Sequence, residues 1–331
     1  MIRVIITLLF SLSLTSIAHA TTLKIATLAP DGTAWMKIMR AAAGEVKKKT
    51  DGRVKLRFYP GGVMGNDNSV LRKIRVGQLH GGAITGGGLA AVYPDAQLYS
   101  LPFLFHSLDE VDYVRARMDQ EIIRGLRKKG FVSYGLGEGG FAYMMSNSPV
   151  RESADLRKQK IWIPEGDMIN SVAFETTGVS PIPLPITDVL TGLQTGLIDT
   201  VATSAIGAIA LQWHTRVKYL TNIPLIYLYG TLAIKEKALK KLSPEDREIL
   251  HTQLATAFQT LNSRNREDEK KALEALKKQG IDFIEPTTQG HQEWAQTAAA
   301  TVKALENDGL FSPKLFRKVQ RLLDEYRQSS R

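Results

Sequence analysis

The run Gly135-Leu136-Gly137-Glu138-Gly139-Gly140 fits G-x-G-x-x-G, and Asp155 follows at about the interval of a ribose-binding acid. Such a turn cradles a pyrophosphate only where a helix opens at it, because the free amides of the first helical turn supply the contacts. Here the next residues are Phe141-Ala142-Tyr143-Met144-Met145, a β-like run, followed by Asn147-Ser148-Pro149. With no helix to open there, no nucleotide cofactor is expected. The glycines read instead as places where backbone passes close to a ligand or an opposing strand. Gly86-Gly87-Gly88 stands at the carboxyl end of a predicted strand, Gly81 to Thr85, where open α/β sheets bind ligands. A tight strand-to-helix turn explains the same three residues equally well.

Nucleophilic and metal chemistry lack a constellation. The five histidines beyond residue 20 (His80, His106, His214, His251, His291) show neither H-E-x-x-H nor H-x-H spacing, so no metal site is expected. G-x-S-x-G is absent, and the chain has no cysteine to act as nucleophile or thiolate ligand. Asp188 is explained as a first-turn acid at a helix N-terminus rather than as half of an acid pair with Asp199. The chain therefore reads as a non-enzyme. Its aromatic and sulfur side chains, among them Phe141, Met144, Trp162, Trp213 and Tyr227, gather near a predicted domain junction. Core packing explains most such stripes. Trp162 and Trp213 can also offer a ring face to a ligand while the indole N–H finds a partner.

The elements that must position these residues alternate through the first two-thirds of the chain. Strands are predicted over 23–28, 54–59, 81–85, 131–136, 142–146, 160–163, 198–202 and 224–234. Helices are predicted over 34–49, 69–76, 108–129 and 186–194. Helices of that length between strands indicate parallel sheets covered on both faces, an α/β fold. From Ser243 the chain turns helical. Ser243-Pro244-Glu245-Asp246 is a helix start, and no proline or glycine interrupts the run until Gly280. A helix of that length is roughly 54 Å long, wider than one ordinary domain, so it should lie across two. A last helix is predicted after Ser312-Pro313, burying Leu315, Phe316, Val319, Leu322, Leu323 and Tyr326. The expected organisation is 21–141 with 230–268 as one domain and 142–229 with 269–331 as the other. Without a linker, crossovers of structured chain join them, an arrangement that permits hinge closure.

Residues 1–20 read as a secretory signal: Arg3, the apolar run Val4 to Leu14, and Ala18-His19-Ala20 before cleavage at Thr21. The run is too short and too interrupted to span a bilayer, and nothing later is long and apolar enough. The expected site of action is the periplasm. The net charge of +10 is spread along helices with glutamates nearby, as in Lys270-Lys271 beside Glu267 and Glu269, which reads as solvated surface and not as a nucleic-acid footprint.

Leu184-Pro185-Ile186-Thr187-Asp188-Val189 leading to Leu193-Gln194-Thr195-Gly196-Leu197-Ile198-Asp199-Thr200 resembles the signature of solute receptors of tripartite ATP-independent periplasmic (TRAP) transporters. Phe58-Tyr59-Pro60-Gly61-Gly62-Val63-Met64-Gly65 and Leu101-Pro102-Phe103-Leu104-Phe105 support it, in the family's order. The resemblance covers about Leu23 to Gly280. It implies two α/β domains hinged around a cleft, a long helix across both, and delivery of a small organic acid to membrane permease subunits powered by an ion gradient.

The resemblance also implies an arginine on the strand leading to "Val-Pro", which clamps the ligand carboxylate with paired hydrogen bonds. In this chain that strand is Lys160-Ile161-Trp162-Ile163-Pro164, with Trp162 in the arginine's position; a second arginine is replaced by Phe141-Ala142. The expected ligand is therefore hydrophobic or an aromatic carboxylate. This is similar to a subset of the family that works beside a periplasmic tetratricopeptide-repeat protein. The alternatives are a C4-dicarboxylate pocket with its cationic anchor moved elsewhere, a ligand-sensing module, or, last, an exported α/β enzyme. The cleft is expected to take Asp31, Asn66, Asp67, Thr85 and Gly86 from one domain. Gly140, Phe141, Trp162, Glu165, Thr203, Ser204 and Trp213 complete it. Trp162→Ala is expected to lose binding with the fold intact.

Overall fold

The computed structural model describes residues 20–329, so the expected signal segment lies outside the described residues except for Ala20. Strand β1 (Thr21–Thr27) leads to α1 (Ala34–Lys49), whose first turn is capped by Thr33 Oγ1 accepting from the Met36 amide at 3.3 Å. Met36, Met39, Ala42 and Val46 recur at helical spacing and are buried. Then come β2 (Val54–Tyr59), α2 (Asp67–Arg75), β3 (Gly81–Thr85) and the single turn α3 (Gly86–Leu89). Helix α4 (Leu108–Lys128), capped by Ser107, precedes β4 (Phe131–Val132) and β5 (Gly137–Ser146). The predicted strand over 131–136 stops at Val132 because Ser133 and Gly135 fold into a side-chain-bonded turn against Phe258.

A shorter-element region follows: α5 (Ser153–Leu156), β6 (Trp162–Pro164), α6 (Met168–Thr177), β7 (Ile182–Leu184), α7 (Val189–Thr195), β8 (Thr200–Thr203) and α8 (Ala205–Ala210). The helix expected from Ile186 opens as a 3-10 turn, Ile186–Asp188, and becomes α-helical at Val189. Strand β9 (Tyr219–Lys235) is 17 residues long, and α9 (Glu236–Leu239) follows it. Helix α10 (Pro244–Lys278) then runs 35 residues from its Ser243 cap. Strand β10 (Asp282–Ile284), α11 (Thr288–Asn307) and α12 (Pro313–Ser329) complete the chain.

The main sheet has the order β2-β1-β3-β9-β5-β8, with β4 and β10 also on β9. It is mixed, not parallel as expected. β1 pairs parallel with β2 and β3, whereas β9 is antiparallel to β3 and β5, and β5 to β8. The cause is that β5 and β9 both cross from one lobe to the other in opposite senses, so as neighbours they can only pair antiparallel. The β5–β9 register slips between Glu138 and Gly140 and again between Ala142 and Met144. A small parallel pair, β6-β7, is tied to β8 through an Ile161–Thr200 bridge.

The long helix does lie across two cores. Leu250, Leu254, Phe258 and Leu261 pack with β1, β2 and α1, while Ala272 and Leu276 pack with α8 and Trp213. Helix α12 buries the expected stripe except Tyr326, which is half-buried against Tyr113. It does so on α4, in the first lobe's core, whereas the sequence grouping places it with the second domain.

Candidate functional site

Between the lobes lies a cavity of about 680 Å³, within the ~300–1,000 Å³ usual for small-molecule sites. One wall comes from the end of β1, the start of α2 and the β3–α3 junction. The opposite wall comes from β6, the loop into α6, the facing side of α6, and Trp213. The floor is the middle of β5 and β9, and α11 closes one side with Trp294, Ala298 and Thr301.

Eight of the expected residues meet in these walls: Asn66, Asp67, Thr85, Gly86, Trp162, Glu165, Thr203 and Trp213. Four do not. Asp31 is exposed outside and pairs with Arg40 at 2.8 Å. Phe141 is buried beneath the sheet against the Tyr227 ring. It sits next to Ala142, which does line the cavity, because successive strand side chains take opposite faces. Gly140 (φ +81°) follows Gly139, the residue left unpaired at the bulge in β5, and faces Glu269 of α10. The side chain of Ser204 turns back to cap α8, accepting from the Gly207 amide at 3.3 Å.

Trp162 is 5% exposed; its Nε1 donates to the Leu184 carbonyl at 3.0 Å, and its ring meets Trp213 edge-on at 5.0 Å. That makes it a wall and a core residue at once, so the expectation that Trp162→Ala spares the fold is revised. Of the three glycines after β3, Gly86 and Gly88 serve close approach, whereas Gly87 faces open space. A Cβ at Gly86 would strike the Tyr229 ring, and one at Gly88 would collide with the Asp67 carboxylate.

No lysine, arginine or histidine is among the described residues lining the cavity, although the chain is basic. The charged lining residues are all acids: Asp67, Glu138, Glu165 and Asp167. Three have partners. Glu138 is held by Arg266 at 2.8 Å and by the Tyr227 hydroxyl at 3.1 Å. Glu165 accepts from Asn66 Nδ2 at 2.5 Å, a bond between the two lobes at the rim. Asp167 caps α6, accepting from the Asn170 amide and Nδ2 at 3.0 and 2.7 Å. Asp67 is different. Its Oδ2 accepts from the amide and hydroxyl of Thr85 at 3.1 and 2.6 Å, but Oδ1 is buried without a donor. Burial pushes its carboxyl up to about 6, against the pull of the two Thr85 bonds.

Several lining residues escaped the sequence reading. Trp294 is buried with its Nε1 unpartnered, and α11 itself was not anticipated. Its signal was present: Thr287 as cap, then Trp294, Ala298 and Thr301 at i, i+4, i+7. Phe103, inside a recognised motif, lines the cavity at φ +53°, held there by its amide donating to the Leu225 carbonyl at 2.7 Å. A non-glycine residue in that conformation carries strain, which gathers at functional walls.

Residues 25–308 match bacterial extracellular solute-binding protein, family 7. The 2,3-diketo-L-gulonate-binding periplasmic protein of Escherichia coli is 26% identical over 244 residues, 72% of this chain and 73% of that relative. Among solved structures, the sugar acid binding protein of Advenella mimigardefordensis in complex with galactonate superposes with a TM-score of 0.85 at 19% identity, covering 93% of this chain and 99% of that one. A TRAP periplasmic solute binding protein of Sulfurospirillum deleyianum with bound succinate gives 0.83 at 20% identity, over 92% and 99%. These structures share the fold: two α/β lobes on a hinge, with a long helix across both.

Proposed function

The chain belongs to bacterial extracellular solute-binding protein family 7, and on that premise we propose that it captures a small, largely apolar organic ligand between its lobes and delivers it to a TRAP-type membrane permease. The carrying observation is the cavity itself, set between the lobes and walled by Trp162, Trp213, Met144, Phe174 and Ile169. Relatives of this fold hold galactonate or succinate. A carboxylate of either kind needs a cation beside it, since burying one without such a partner is costly. Here Trp162 stands where the family's arginine is expected, and the alternative of an anchor moved elsewhere finds no cation in the described walls. Export through the signal at residues 1–20 and partnership with a periplasmic tetratricopeptide-repeat protein belong to the same reading.

The test is to purify the protein gently, denature it, and identify by mass spectrometry the small molecule it releases. An apolar molecule is expected. Thermal shifts then separate the classes: strong stabilisation by malate, fumarate or succinate, and none by apolar compounds, would overturn the ligand class.

A further inference from the structure

We infer that the part of the cavity between α6 and α11 is a subsite for an uncharged carbonyl oxygen on the ligand, which accepts from Trp294 Nε1, while Asp67 on the opposite lobe accepts a hydroxyl or N–H of the same molecule. This rests on the receptor reading above and narrows it from "apolar" to a chemical class: an apolar body bearing a neutral acceptor and a separate donor.

Two buried polar atoms in these walls have no partner among the described residues, Trp294 Nε1 and Asp67 Oδ1. Buried donors and acceptors are ordinarily paired, so an unpaired one on a cavity wall marks where a ligand atom belongs. The two have opposite characters, one a donor only and the other an acceptor when ionised. They also come from different lobes, α2 on one side and α11, packed on α6, on the other. The buried hydroxyl of Thr301, two turns further along α11, is already committed to the Thr297 carbonyl at 2.8 Å, so among the described buried donors of that helix the indole N–H is the one without a partner.

The acceptor at Trp294 has to be neutral. A carboxylate there would exchange its hydration for one N–H, with no cation in the described walls and with Asp67 and Asp167 in the same cavity. An amide, ester or ketone oxygen carries no such penalty. At Asp67 the Oδ1 position takes either a hydroxyl or an amino group, and the test separates them.

Binding is measured by titration calorimetry on the mature chain. The probes are alkyl and aryl hydroxy amides, the amino amides, and the hydroxy acids of the same skeletons. The amides are expected to bind, and the acids to bind at least about tenfold more weakly. Trp294→Phe keeps a ring and deletes the N–H. It should weaken amide binding about three- to tenfold, the loss of one neutral hydrogen bond. The matching hydroxy-alkanes, which lack the carbonyl, should bind the variant and the parent alike. That N–H has no partner in the protein, so the ligand-free variant should lose only the packing of the missing ring, with no added cost for a broken hydrogen bond. Asp67→Asn should weaken the amino amides more than the hydroxy amides if the donor is an ammonium, and both equally if it is a hydroxyl.

Acids that bind as tightly as their amides overturn the inference, as does a Trp294→Phe penalty of equal size on the carbonyl-free alkanes. A released native molecule bearing a carboxylate also overturns it while leaving the receptor reading in place; a neutral one whose binding Trp294→Phe weakens supports it. Failure of every probe, with no molecule released, removes both.

Discussion

Around Glu138 the protein buries a carboxylate and surrounds it with donors, whereas at Asp67 it buries a carboxylate and leaves one oxygen bare. Glu138 receives Arg266 and Tyr227; Arg266 continues to Asp112 at 2.6 and 2.7 Å, and Arg115 joins Tyr227, Asp119 and the Leu136 carbonyl. That network fastens α4 and α10 to the strands that cross between the lobes. Its arginines bind helix to sheet, and none lines the cavity. The contrast separates two uses of buried polarity: saturated where it holds the architecture, unsaturated where a ligand is to complete it.

The largest break in that comparison should come from Arg115→Ala. It would take one donor each from Asp119, the Tyr227 hydroxyl and the Leu136 carbonyl, which keep Tyr99, Glu138 and Asn262 as partners, and is expected to lower unfolding stability by about 3–4 kcal/mol, read by urea denaturation. Trp162→Ala is expected to be nearly as damaging, about 3 kcal/mol, because it removes core packing and leaves the Leu184 carbonyl without its donor. Trp162→Phe, milder in volume, is the cleaner probe of binding: ligand affinity should fall with a smaller loss of stability.

Asp67→Asn should move stability the other way. The folded carboxyl titrates at about 6, above its ordinary 3.8, so between those values the folded state holds a proton that the unfolded chain has lost. The native state is thus favoured most below about pH 4, and that advantage disappears as pH rises through about 6. Replacing the acid with a neutral amide should therefore stabilise the ligand-free protein by roughly 2 kcal/mol at pH 8 and by little at pH 4, compared by thermal melts at the two values. A saturated carboxylate would give the reverse sign, so the direction alone sharpens the comparison. Smallest of all, Glu165→Ala removes one exposed rim bond and should change unfolding by less than about 0.5 kcal/mol, while ligand release measured by stopped flow quickens a few-fold.

What could be read from the sequence was what local rules decide. The bounds of α1, β2 and β3 and the start of α10 fell where caps, glycine stops and periodicity placed them. What escaped depends on distant partners. The mixed direction of the sheet arises from β5 and β9 crossing between lobes, which no local pattern encodes. For the cavity, proximity in sequence found the right neighbourhoods but not always the right face, as with Phe141 beside Ala142. Trp294 comes from 132 residues beyond Trp162, on a helix whose cap was legible but whose packing partner, α6, was not.

Strands β5 and β9 belong to one hydrogen-bonded ribbon that enters both lobes, and their ladder slips at two places near its middle. Relative movement of the lobes must therefore flex paired backbone, as a leaf spring bends, and cannot swing on a slack tether. Its amplitude is limited by how far the ribbon can curve before the ladder parts. The two slips are where curvature meets least resistance, and both lie beside the residues that floor the cavity, Gly139 and Ala142. A molecule pressed against that floor would feel the bend directly, because the elastic element and the cavity floor share the same few residues.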